Sequence, residues 1–280
     1  IMTIREITTC IEEIAPLNYA EGFDNVGLLI GNYTTKVSGV IVTLDTIENV
    51  VDEAIEKKCN LIVSFHPIIF SGLKKLNGKN YVERVVLKAI KNDIAIYAIH
   101  TALDNSFQGV NAKICEILGL QNKKILIPQK NTIKKLTTYA PKDNAEEVRL
   151  ALFQAGAGNI GNYDNCSYNT EGFGTYRGNE DSNPSIGIKG ELHTEKETFI
   201  SVIFEKHNEK SILTALFNAH PYEEVAYDIV PLDNVNQEIG IGMIGELTEE
   251  KSEQEFLQFV KTTMKAKGIR HSKLLNLPIR

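Results

Sequence analysis

The 280-residue chain has no tryptophan, three methionines and only four cysteines. Cys10, Cys59, Cys115 and Cys166 are widely scattered and form no Cys-x-x-Cys pair. Neither a disulfide framework nor a thiolate zinc cage is expected; reduced, mostly buried thiols of a cytoplasmic protein are. No apolar run approaches the roughly 20 residues that span a bilayer. The opening stretch, "IMTIREITTC", lacks the apolar core of a signal peptide and carries Arg5 and Glu6 early. Basic residues are outnumbered, 30 Lys and Arg against 36 Asp and Glu, for a net charge of −6. That balance argues against a nucleic-acid-binding body. What remains is the composition of an ordinary soluble globular protein, long enough for two domains.

The hydrophobic pattern supplies the organisation. Thr3-Ile4-Arg5-Glu6 is a capping-box pattern, and Ile4, Ile7, Ile11 and Ile14 follow at helical spacing, so a helix is expected over 3–14, stopped by Pro16. "VGLLIG" (26–31) reads as a short strand. Strands at 38–45, 60–66 and 93–100 then alternate with helices at 46–58, 81–91 and about 110–118. Val- and Ile-rich runs separated by helices indicate βαβ units and a parallel sheet covered on both faces. The texture changes near residue 130. A strand in "IKKLTTYAP", a helix over 144–155, a long glycine-rich irregular stretch, a strand at 198–207, a helix at 208–219 and a strand at 224–232 resemble a split βαβ, ferredoxin-like unit. The expected domains are therefore 1–130, 131–234 and 235–280. In the last, "EIGIGMIGELT" (238–248) is a strand, Ser252-Glu253-Gln254-Glu255 caps a helix to about Lys267, and "SKLLNLPIR" is strand-like.

Two glycine patterns, 156–161 and 240–245, match Gly-x-Gly-x-x-Gly. A dinucleotide fingerprint requires the glycines to join a strand directly to a helix N-terminus. The first pattern follows a helix, and the second is several residues from the next one. Helix caps, turns and close backbone packing explain them better.

The residues that could carry chemistry sit at strand ends. His66 ends one predicted strand and His100 the next, with Asp104 four residues on in "HTALDN". Ligands gather beyond the carboxyl ends of parallel strands, and adjacent strands lie about 4.8 Å apart, so the three can converge. Two imidazoles and a carboxylate suit zinc, iron or manganese; the same histidines also read as hydrogen-bonding groups at strand ends. Asp24 and Asn25, before "VGLLIG", either line that edge or form a turn. In "AHPYEEVAYD", His220 with Glu223 or Glu224 could ligate a metal in isolation, although Pro221 and the aromatics suggest a rigid corner.

Together, "FDNVGLLIG", "HPIIFSGLKKL", "AIHTALDN", "AGAGNIGNYDNCSYNTEGFGTYRG", "AHPYEEVAYDIVPL" and "GIGMIGEL" resemble the Nif-three family, from residue 3 to the end. Its members are often labelled dinuclear-metal-centre hexameric proteins or type 2 GTP cyclohydrolase I homologues. The resemblance implies an α/β core carrying an inserted PII-like, ferredoxin-like α+β domain at about 131–234. It also implies a homohexamer, a divalent metal and a nucleotide or other small molecule as ligand. Residue by residue, His66 matches the second His of a metal-binding pair, Asp104 the Asp of His-x-x-x-Asp, and His100 its leading His. His66 and Asp104 are thus the implied metal ligands, and His100 the implied catalytic or proton-shuttling group. Phe65 stands where the first His of the pair belongs, and the family's C-terminal His-x-x-x-Glu segment has no counterpart before Arg280. The expectation is one weakly held metal or none, and no dinuclear centre. The family's C-terminal segment should supply strands and a helix to the core, so either the chain is a fragment of a longer protein or a partner covers the sheet edge and face left open. Two functions follow: a metal-dependent, GTP cyclohydrolase-like hydrolase, or a non-catalytic hexameric scaffold whose insert senses a small molecule or partner. Nucleic-acid binding in a ring channel is disfavoured by charge.

Overall fold

A computed structural model describes residues 2–280. The chain divides into two compact units: the segment ending at Pro128 together with Gln237–Arg280, and Gln129–Asn236.

The first unit is built on a four-stranded sheet. Its strands are β1 (Gly27–Ile30), β2 (Val40–Thr43), β3 (Leu61–Ser64) and β4 (Ala95–Ala98), in the order β1-β4-β3-β2. β2, β3 and β4 are parallel, whereas β1 runs antiparallel to β4 with Gly27 opposite Ala98. Every residue of β3 and β4 is buried, and alternate side chains serve opposite faces. Ile62 and Ile96 pack under α2 (Glu48–Glu56) and α3 (Tyr81–Lys91), against Val51, Ala54, Val85 and Ala89. Leu61, Val63 and Tyr97 pack under α1 (Ile4–Ile14), against Ile4. Each such aliphatic side chain, fully buried, contributes roughly 1.5–3 kcal/mol. The Thr3 capping box forms as its spacing predicts: Thr3 Oγ1 accepts the Glu6 N–H at 3.3 Å, and Glu6 Oε2 takes the Thr3 N–H at 2.6 Å. The sheet is not covered on both faces throughout, however. β2 is an edge strand, and Val42 is 80% exposed.

After β4 come α4 (His100–Asn105) and α5 (Val110–Ile117), then a strand the sequence pattern does not announce, β5 (Gln121–Pro128). It pairs antiparallel with β10 (Gly240–Glu246), bringing Pro128 opposite Gly240. A Cβ on Gly240 would run into Ile127 and Pro128 of β5, so this glycine is there for close strand approach. α8 (Glu253–Thr263) opens on its Ser252–Glu255 capping box. The expected strand at the end is reduced to a single bridge, Lys251 to Ile279.

The second unit contains β6 (Ile133–Pro141), α6 (Ala145–Gln154), β7 (Tyr168–Tyr176), β8 (His193–Glu205), α7 (Glu209–Ala219) and β9 (Tyr227–Leu232). All its strand pairs are antiparallel, in the order β7-β8-β6-β9. Leu136, Ile200, Val202 and Phe204 pack against Val148 and Leu152 of α6 and Ile212 and Leu216 of α7. The two helices therefore cover one face of the sheet. The glycine-rich stretch expected to be irregular contains all of β7, nine residues paired in register with β8. The Gly156-x-Gly158 pattern follows α6; both glycines have positive φ (101° and 83°), as a chain reversal after a helix requires.

All four cysteines are free; only Cys115 is buried, and Cys10 is exposed, so the expectation of mostly buried thiols fails. Among the described residues no helix is long and apolar enough to cross a membrane.

Candidate functional site

The carboxyl ends of β2, β3 and β4 form one rim of the first unit. His66 lies two residues beyond β3, and His100 opens α4 just after β4. Because β1 is antiparallel, its start lies where β4 ends, so the chain just before it delivers Asp24 to the same rim. Asp45 arrives there from the end of β2.

His100 Nδ1 lies 2.9 Å from both carboxylate oxygens of Asp24. Asp24 also accepts the Thr101 N–H at 3.1 Å, the Thr101 hydroxyl, and the Asn25 N–H at 2.8 Å. The Asp24 side chain is fully buried. Burial, the largest single influence, pushes its carboxyl upward, but the Thr101 hydroxyl, His100 and the two backbone N–H groups together hold it below the usual carboxylate range. The other imidazole is fixed differently. His66 Nδ1 lies 2.8 Å from Asp45 Oδ1, and both side chains are about half exposed. His100 has φ of 27°, a left-handed conformation unusual for a residue with a Cβ. Its backbone N–H is held by Phe65 O at 2.9 Å.

The three rings at the rim form a near-equilateral triangle. Centroids are 5.4 Å apart for His66–His100, 4.9 Å for Phe65–His66 and 5.4 Å for Phe65–His100, all edge-on. Asp104, on α4, is half-buried beside them. Burial raises its carboxyl above the ordinary range, with Asp24 adding to the rise and His100 and His66 opposing it.

The structure thus brings His66, His100 and Asp104 to one rim, adds Asp24 by way of the antiparallel β1, and adds Asp45, which the sequence reading missed. The signal for Asp45 was available: an acid directly after the first strand of a βαβ series. His220 sits elsewhere, buried in the second unit. Its Nε2 is bonded to Tyr139 O at 2.9 Å, and its Nδ1 accepts the Tyr222 N–H at 3.1 Å. Both nitrogens are used, so this is the rigid corner.

The rim's donors are of the right chemistry for a divalent metal. Each imidazole gives Nδ1 to a carboxylate, as metal-bound histidines do with their non-ligating nitrogen. The set is nevertheless incomplete. Among the described residues, no group of three or more His, Cys, Asp or Glu could hold an ion, and the Phe65 ring takes the third corner of the triangle.

The model of one protein family, Duf34/NIF3 (NGG1p interacting factor 3), matches residues 2–280. The chain belongs to the Duf34/NIF3 family. A Bacillus subtilis family member, named GTP cyclohydrolase 1 type 2 homolog, is 41% identical over 267 residues, which is 95% of this chain and 72% of that protein. The crystal structure of a Bacillus cereus protein related to NIF3 superposes with a TM-score of 0.82 at 40% identity, covering 99% of this chain and 74% of that one. A Staphylococcus aureus protein superposes at 0.72 with 30% identity, covering 99% and 73%. This NIF3-family chain therefore shares its α/β fold with relatives that are longer than itself.

Proposed function

We propose that this chain is a metal-binding GTP cyclohydrolase 1 type 2 homologue whose rim holds one divalent cation (zinc, iron or manganese) weakly, through His66 and Asp104. The observation that carries this is the meeting of two carboxylate-anchored imidazoles with a third, half-buried carboxyl whose ionisation burial disfavours. His100, locked by Asp24, is the group placed to give or take a proton from a nucleotide bound there. When bound, the metal would supply a polarised water, and His66 and Asp104 would hold the ion. Zinc or manganese titration should give at most one equivalent, lost in His66→Ala. Formate release from GTP that vanishes in the same variant would extend the reading to hydrolase activity. Two tightly held ions per chain would overturn it.

A second reading is favoured by a different observation. The βαββαβ order of the second unit supports a PII-like, ferredoxin-like insert, and that unit holds a cavity of about 1020 Å³, the size of a small-molecule site. On this reading the chain is a subunit of a non-catalytic homohexamer whose insert senses a ligand. A metabolite that raises the unfolding temperature without altering metal binding would favour this reading.

A further inference from the structure

The cavity of the second unit lies against the face of its sheet that α6 and α7 leave uncovered. On β8, Ile200, Val202 and Phe204 point to the helices, so Glu197 and Phe199 point away from them. Register places Tyr139 of β6 beside Phe199, and Gly172 of β7 beside Glu197. Glu197 lies among the cavity's lining residues and is only 9% exposed. One of its carboxylate oxygens, Oε1, accepts the Tyr222 hydroxyl at 2.8 Å; no described residue hydrogen-bonds to Oε2. A Cβ on Gly174 would overlap that carboxylate, so the glycine-rich β7 is what gives Glu197 its place.

The surroundings are predominantly acidic. Glu171, Asp181, Glu223 and Glu224 also line the cavity, against one cationic side chain among the described lining residues, Arg177. Glu171 is paired with Lys142 at 2.8 Å, and Glu223 accepts the Asn183 N–H at 2.7 Å. Neither contact involves Glu197. Aromatic rings complete the walls: Tyr139 against Phe199 at 5.6 Å, and Tyr176 against Tyr222 at 5.7 Å. A nearly buried carboxylate with an open oxygen and aromatic rings in the lining together attract a cation and disfavour an anion.

We propose that this cavity binds a small organic cation, an amine or amidine head on a flat apolar body, with the head on Glu197 and the body between the rings. The proposal rests on the reading of the second unit as a ligand sensor, and names the ligand class.

The test uses the whole chain in chelator-treated buffer, titrated by calorimetry with three probes of one shape: benzamidinium, benzamide and benzoate. Benzamidinium should bind, benzamide at least tenfold more weakly, and benzoate not at all. Glu197→Gln keeps the shape and the Tyr222 contact, and should weaken benzamidinium at least tenfold. Tyr222→Phe frees the second oxygen and should retain benzamidinium binding, which keeps the test decisive if Glu197→Gln does not fold. Unchanged benzamidinium affinity in folded Glu197→Gln, or its loss in folded Tyr222→Phe, overturns the proposal. Benzamide or benzoate binding as tightly as benzamidinium overturns the cation but leaves the sensor reading standing. If none of the three binds, the proposal falls, and the sensor reading then stands or falls on whether a metabolite raises the unfolding temperature.

Discussion

The rim of the first unit carries two histidine–carboxylate pairs of the same chemistry in different solvent. His100–Asp24 joins a side chain 19% exposed to one fully buried; His66–Asp45 joins two that are 45% and 57% exposed. Water competes far more for the second pair than for the first. The buried Asp24 also carries the Thr101 hydroxyl and two backbone N–H groups, so it organises the loop before β1 as well as the imidazole. The exposed pair aims a ring and does little more. A short distance therefore says less about a pair's contribution than the number of groups that lose a partner when it is broken.

The widest gap between the pairs should appear on truncation. Asp24→Ala leaves several donors unsatisfied and should cost about 3 kcal/mol of stability, measured by urea unfolding; a loss below about 1 kcal/mol would erase the distinction. The same group sets a pH window. Its folded pKa lies below the unfolded value, near 3.9, so its contribution is complete above that value and is lost as pH falls through the folded pKa. Asp24→Asn should therefore flatten the acid limb of the stability curve.

Phe65 touches both histidines, and Phe65→His should tighten zinc at least tenfold, read by competition with a chromogenic chelator. No gain would mean that the phenyl ring is not what limits the site. Asp104 has the opposite linkage to Asp24. Its folded pKa is raised, chiefly by burial, so its ionised form subtracts stability as pH climbs through that pKa. Asp104→Asn should raise the melting temperature at pH 7 while abolishing metal binding, a separation that identifies a carboxyl kept for function. The smallest effect belongs to Asp45→Ala, expected to cost less than about 1 kcal/mol and to shrink further in high salt. A larger, salt-insensitive loss would make the two pairs equals.

The parts of the fold legible in the sequence are those fixed by local pattern. "LIVS" and "AIYA" are buried at every position, and both capping boxes form where the spacing puts them. What escaped depends on distant partners. β5 contains Lys123 and Lys124 and buries only Ile125, so it is a strand by virtue of β10, more than a hundred residues away. β7, nearly all exposed and glycine-rich, is a strand by virtue of β8. Four-residue β1 gives no local clue to its direction, yet that direction is what brings Asp24 to His100. At the rim, His66, His100 and Asp104 could be read from the places of the histidines at the ends of strands and the His-x-x-x-Asp spacing that follows. Asp45 was missed for want of a second motif residue, and Glu197 because β8 begins five residues before the strand expected at 198–207.

The pairing of Pro128 with Gly240 has a consequence for how such a chain can be remodelled. The two ends between which the second unit is threaded are neighbours on adjacent strands, and that unit's own first and last strands pair with each other, Ile133 opposite Leu232. Entrance and exit share one doorway on each side. A short turn from β5 to β10 would close the first unit as an ordinary hairpin, so lineages could gain, lose or exchange the passenger without redrawing the sheet that holds His66 and His100.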